Sequence, residues 1–166
     1  MSFEETPLAV TDTHALIWAI EGKRLGKRAR RLFDSADEGK CAFYIPAQAL
    51  AELGEACHRN RVMLDLPFEE WARAAFASGK YHEAQLTAEM VYVAQRLYSI
   101  PERGDRLMAA TAIVLDVPLI TQDSEIQGAA GVECIWSKPP TSETTTPANR
   151  SSRRRHSSAC RGSTRL

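Results

Sequence analysis

No stretch of the 166 residues reaches the roughly 18 consecutive apolar residues that cross a bilayer, so a membrane-spanning helix is not expected. The opening segment, MSFEETPLAV, is acidic and has no basic region leading into a long apolar one. A secretory signal is therefore not expected, and the cytoplasm is the expected location. Cysteine is scarce: Cys41, Cys57, Cys134 and Cys160 show no CxxC spacing and no nearby histidine cluster, which argues against a zinc site or a disulfide framework. Cys57-His58 is the only close pair, two ligands short of a structural zinc site. No glycine-rich phosphate loop follows any apolar run, so neither a P-loop nor a dinucleotide fold is supported. Aromatics make up only 7% of the chain, and Trp18, Trp71 and Trp136 are expected in the core or at an interface rather than as stacking platforms. There is no internal repeat.

What is present is an ordinary globular composition, 44% hydrophobic and 25% charged, in a chain long enough for one well-packed domain. Its net charge of zero conceals segregation. Residues 137–166 carry seven Lys/Arg against Glu143 alone, a net of +6, and the preceding 136 residues hold 14 basic and 20 acidic groups, a net of −6. The segment from 138 to 166 is rich in Ser, Thr, Pro and Arg and cannot bury enough apolar surface to offset its ordering entropy, so it is expected to be a disordered basic tail. Arg153-Arg154-Arg155 could neutralise phosphates, but an extension without function is the preferred reading. The folded domain is placed at 1–137.

Within that domain, short apolar runs alternate with helical patterns. Strands are expected at PLAVTD (7–12), CAFYIP (41–46), VPLIT (117–121) and VECIW (132–136). Helices are expected over 13–22, 25–40, 47–60, 67–79, 87–100 and 105–116, with a short one at SEIQG. Apolar strands separated by helices imply an α/β fold, a three-layer sandwich with a central, mainly parallel sheet flanked by helices.

Functional groups in such sheets gather beyond the carboxyl ends of the strands. Asp12 directly follows one strand, Asp123 another, Asp105 begins the helix feeding the latter, and Glu52 lies in the helix after CAFYIP. Each alone has a plain explanation. Asp12, Asp105 and Asp123 are all placed to cap a helix, an interaction contributing about 1 kcal/mol, and Glu52 could face solvent with Glu55. Together they do not fit so easily: carboxylates about 4–5 Å apart repel by roughly 3–4 kcal/mol per pair at an effective dielectric near 20. A converging set needs protons or metal ions, and hard oxygen ligands favour Mg²⁺ or Mn²⁺, hence phosphoryl chemistry. In GDRLMAATAIVLDVPLITQD, a helix of about 12 residues descends about 18 Å and the strand returns about as far, which would bring Asp123 level with Asp105.

The stretches VTDTHALIW, IPAQALAELGE, GDRLMAATA and PLITQD resemble, in order, the motifs of the PIN-domain family, specifically the VapC-like toxin ribonucleases of bacterial type II toxin–antitoxin pairs; the likeness runs through nearly all of 8–136. That resemblance implies a PIN-like sandwich and a Mg²⁺-dependent endoribonuclease, with Mn²⁺ as an alternative metal. It makes Asp12, Glu52, Asp105 and Asp123 the catalytic acids and Asp12, Asp105 and Asp123 the metal ligands, supported by Thr121 and Thr13. It implies hydrolysis of RNA phosphodiester bonds by a metal-activated water, a homodimer and a cognate antitoxin protein. The chain departs from the family pattern at Pro46 and Ala49, where relatives often carry serines, and at PERG before Asp105, which leaves Glu102 as a stand-in for an acid. A protein nucleophile is not required, and His14 is not needed as a general base.

An acidic centre that receives RNA needs basic groups at its rim. Lys23, Arg24, Lys27, Arg28, Arg30 and Arg31 form the best cluster, able to meet phosphates without reading sequence; the plain alternative is a solvated helix face. Arg106 is expected to pair with a carboxylate. The competing functional reading is a catalytically weak PIN-like module that binds RNA or protein. A phosphotransfer domain ranks lower, because Asp12-Thr13-His14 lacks the second aspartate of an Asp-x-Asp pair.

Overall fold

Ala9–Thr11 form the first strand (β1), three residues buried from solvent on both faces. A strand so enclosed must sit in the middle of a sheet, and it does: the computed structural model, which describes residues 8–137, pairs β1 in parallel with strands on either side. One neighbour is β2 (Phe43–Pro46) and the other is β4 (Leu119–Ile120). Outside β2 lies β3 (Tyr81–Ala84) and outside β4 lies β5 (Cys134–Ile135), giving the order β3-β2-β1-β4-β5. Every pairing is parallel, so all carboxyl ends open on one edge. Helices α1 (Thr13–Ile20), α2 (Lys27–Asp37), α3 (Ala47–His58), α4 (Phe68–Ala77), α5 (Ala88–Ala94), α6 (Arg103–Leu115) and α7 (Ser124–Gln127) make the crossovers and flank the sheet. The expected α/β sandwich is the observed one. The tail expected from 138 lies outside the described residues.

The core is the sheet's own apolar content, Val10, Phe43, Ile45, Leu119 and Ile120, closed over by Leu16, Leu53 and Met108 from α1, α3 and α6. Among the described residues, no helix is long and apolar enough to cross a membrane.

Three local outcomes differ from the sequence reading. β3 was not expected, because Tyr81-His82-Glu83-Ala84 has two polar residues in its middle and only its ends are buried. It is an edge strand held by β2 alone, where side chains facing water are tolerated. The helix expected to reach residue 100 stops at Ala94 and tightens into successive i→i−3 turns, Arg96 N–H donating to Val93 and Leu97 N–H to Ala94. Helix α6 starts at Arg103, two residues early, which puts Asp105 inside its first turn.

Two turns position the functional edge. After α6 the chain reverses through Asp116 in the left-handed conformation (φ 55°), with Val117 N–H donating to Ala112 and Asp116 N–H to Ile113, and β4 begins at once. At the far side, the amides of Arg28 and Ala29 both donate to the Trp136 carbonyl at 3.1 Å, tying the start of α2 to the end of β5. Gly26 permits that approach: a Cβ there would lie 2.6 Å from the Trp136 carbonyl oxygen.

Candidate functional site

Asp12 leaves the end of β1 with its amide donating to Ile120 at the end of β4. It caps α1, one carboxylate oxygen accepting from Ala15 N–H at 2.6 Å, and is only 4% exposed. Burial pushes its carboxyl above the ordinary range and the charge of Asp123 adds to that, while bonds from Thr121 and the Ala15 amide and the proximity of His14 oppose it. Asp123 likewise caps α7, accepting from Glu125 and Ile126 amides through one oxygen. Capping and convergence are thus compatible: each aspartate gives one oxygen to a helix end. Thr121, fully buried, links the two, its hydroxyl accepting from Asp123 N–H at 3.0 Å and bonding the Asp12 carboxylate.

Asp105 behaves differently. Glu102 occupies the cap position of α6, so Asp105 caps nothing, and its carboxylate accepts no hydrogen bond from the described residues. Burial, then the charges of Asp123, Glu52 and Asp12, push its carboxyl up to about 6, with His14 opposing. Asp105 therefore lies in the field of the other three predicted acids. Glu52 arrives from α3 with both oxygens held: the Thr13 hydroxyl donates to Oε2 and the Gln48 amide to Oε1 at 2.8 Å.

The other candidates fall around this centre or away from it. Glu55 is exposed and pairs with Arg59 at 2.6 Å, and Glu102 is exposed at its helix end. Arg106 is not paired with a carboxylate: it donates to the Ile100 and Pro101 carbonyls and lies over the Tyr98 ring, because the tight turns before α6 leave those carbonyls pointing at it. Trp18 and Trp136 pack on each other with ring centres 5.6 Å apart, and Trp18 also lines an open cleft of about 390 Å³ with Asp12, His14, Gln122, Asp123 and Ser124. The loop after α1 carries Lys23 and Arg24, and Lys27, Arg28, Arg30 and Arg31 follow on α2. All six are exposed, and none forms an ion pair with a described residue.

Gln48 and Gly104 were not singled out from the sequence. The available signals were a polar residue one turn before Glu52 on the same helix face and a glycine inside a helical pattern.

Among the described residues no group of three or more His, Cys, Asp or Glu side chains forms a ready-made metal site. The donor chemistry nonetheless fits a hard divalent cation: Asp105 lies in the field of three other carboxylates, and among the described residues no group donates a hydrogen bond to it.

The model of the PIN domain matches residues 9–132. The chain belongs to the PIN-domain family. PIN domains are generally nucleases, and they commonly use divalent metals. Among solved structures, this PIN domain is similar to VapBC2 from Rickettsia felis bound to a DNA fragment from their promoter: TM-score 0.58, 15% identity, over 78% of this chain and 98% of that one. It is also similar to a toxin–antitoxin complex from Klebsiella pneumoniae (TM-score 0.52, 20% identity, 75% and 94% of the two chains). A third similar structure is FitAcB from Neisseria gonorrhoeae (TM-score 0.53, 16% identity, 77% and 96%). At such identities the likeness shows a shared fold. Among curated proteins, none matches the chain.

Proposed function

We propose that this PIN domain is a metal-dependent endoribonuclease, the toxin of a toxin–antitoxin pair, working in the cytoplasm with Mg²⁺ or Mn²⁺. The observation that carries this is Asp105, a half-buried carboxyl raised to about 6 within the field of three other carboxylates and without a hydrogen-bond donor among the described residues. Strongly perturbed carboxyls cluster at functional sites, and a bound cation would relieve the repulsion at this one.

Asp12, Asp105 and Asp123 would hold the ion, with Glu52 completing the acidic set. A divalent ion supplies Lewis acidity and a water nucleophile at neutral pH. The chain's own groups do the positioning. Thr121 ties Asp12 to Asp123, the Ala15 amide fixes the rotation of Asp12, and Thr13 keeps Glu52 turned inward. Lys23, Arg24, Lys27, Arg28 and Arg31 meet phosphates of the incoming strand without reading its sequence. Similarity to a toxin–antitoxin complex supports a cognate antitoxin as partner, and a homodimer goes with that reading.

The test is incubation of the purified protein with structured RNAs in Mg²⁺, in EDTA, and as Asp12→Asn. Cleavage is expected only for the wild type with Mg²⁺. Cleavage that survives both EDTA and the substitution would sink the carboxylate–metal mechanism, and RNA binding without any cleavage would make the domain a binding module.

A further inference from the structure

Glu52 has three rotatable side-chain bonds and a negative neighbour in Asp105, so left alone it would swing toward water. It is held in place from three sides. The Thr13 hydroxyl donates to one oxygen and the Gln48 amide, one helical turn earlier on α3, to the other at 2.8 Å. The third side is an absence. A Cβ on Gly104, in the first turn of α6, would stand 2.6 Å from Glu52 Oε1 and 3.3 Å from Gln48 Nε2. The carboxylate thus occupies the space an alanine methyl group would fill. Gly104 has no positive φ, so backbone conformation does not demand glycine there.

We propose that Gln48 and Gly104 are positioning residues for Glu52: Gln48 latches its carboxylate, and Gly104 is the opening in α6 through which that carboxylate reaches Asp105. This rests on the nuclease reading of the acidic centre. It joins two elements distant in sequence, since α3 supplies the acid and its latch while α6 supplies both the opening and, one residue later, Asp105. The plain alternative for Gln48–Glu52 is an ordinary i,i+4 pair on a helix, worth a few tenths of a kcal/mol and without consequence for the centre.

The two readings separate in Gly104→Ala and Gln48→Met, with Glu52→Ala as reference. Three quantities are measured on the full chain: melting temperature in EDTA, Mn²⁺ affinity by titration calorimetry, and kcat and KM for RNA cleavage. Gly104→Ala is expected to melt at or above the wild-type temperature, because the atom it displaces is the far end of a flexible side chain and alanine is the better helix former. Gln48→Met keeps the side-chain length, removes the donor and is expected to melt within a degree or two of wild type. In both, Mn²⁺ affinity and kcat fall about tenfold to a hundredfold, the range for groups that support a metal site from around its ligands. KM for RNA stays unchanged, since the cations of α2 are untouched. If Glu52→Ala loses Mn²⁺ binding and cleavage but both test variants keep them, the positioning role is overturned and the nuclease reading stands. If Glu52→Ala itself keeps both, the reading of Glu52 falls and this proposal falls with it.

Discussion

Asp105→Asn should make the metal-free protein more stable and inactive at the same time. The Asp105 carboxyl is raised from 3.8 to about 6, first by burial and then by Asp123, Glu52 and Asp12. At about 1.36 kcal/mol per pKa unit that is about 3 kcal/mol against the charged form. The side chain is only half-buried, and solvent screening reduces the figure to roughly 1–2 kcal/mol. Asparagine removes the charge at nearly constant shape. It also gives up the interaction of a carboxylate with the first turn of α6, about 0.3–1 kcal/mol, leaving a net gain of about 1 kcal/mol. The direction with pH follows from linkage: the folded protein holds its proton to higher pH than the unfolded chain, so wild-type stability declines as pH rises from about 4 to 6, and the penalty is complete above that. Buried Asp12, also raised, acts in the same direction. Thermal melts in EDTA should therefore show variant and wild type together at pH 4 and the variant about 2–4 °C higher at pH 7. Mn²⁺ should then raise the wild-type melting temperature by mass action and the variant's much less. A variant that melts at or below wild type at pH 7, or a gap that does not change between pH 4 and 7, would refute the claim that Asp105 is held in the field of the other acids.

Gly26→Ala should be destabilising by about 1–3 kcal/mol in urea denaturation, because its Cβ would meet the Trp136 carbonyl at 2.6 Å and backbone cannot move aside as the tip of Glu52 can; a neutral result would show that the α2–β5 junction is slack. Thr121→Val removes the hydroxyl shared by Asp123 N–H and the Asp12 carboxylate, and should cost about 1–3 kcal/mol of stability and about tenfold or more in cleavage rate, read by melts and single-turnover kinetics. Lys27→Ala and Arg28→Ala should each weaken RNA binding at low salt and reduce the slope of log affinity against log salt by about one, with unchanged melting temperature. Slopes equal to wild type would return that face to the plain role of a solvated helix.

The parts of the fold that were legible in the sequence are those where one local signal dominates. PLAVTD, CAFYIP and VPLIT are short apolar runs, and they hold β1, β2 and β4 because an enclosed strand has to be largely apolar; VECIW holds the edge strand β5, anchored by buried Ile135. β3 was illegible because an edge strand is specified by its neighbour: His82 and Glu83 pair with Tyr44 and Ile45 of β2 regardless of their own polarity. The basic stretch of α2 was readable as a charge cluster, whereas its freedom from ion pairs was not.

The four acids illustrate the division. Their chemistry and their places at strand ends are written in the chain, and a parallel sheet sends those ends to a single edge, so Asp12 and Asp123 were bound to meet there. Each was equally readable as a helix cap, and the structure shows both to be caps that also feel each other's charge. Asp105 read as a cap and is not one, because α6 begins two residues sooner than the pattern suggests. What only the tertiary structure decided is how Glu52 is admitted: its latch, Gln48, and its opening, Gly104, sit on separate helices 56 positions apart in the numbering. Residue type and local spacing carry charge and secondary structure, but the room left for a side chain is a property of the surfaces that meet around it, and those meet only when the chain is folded.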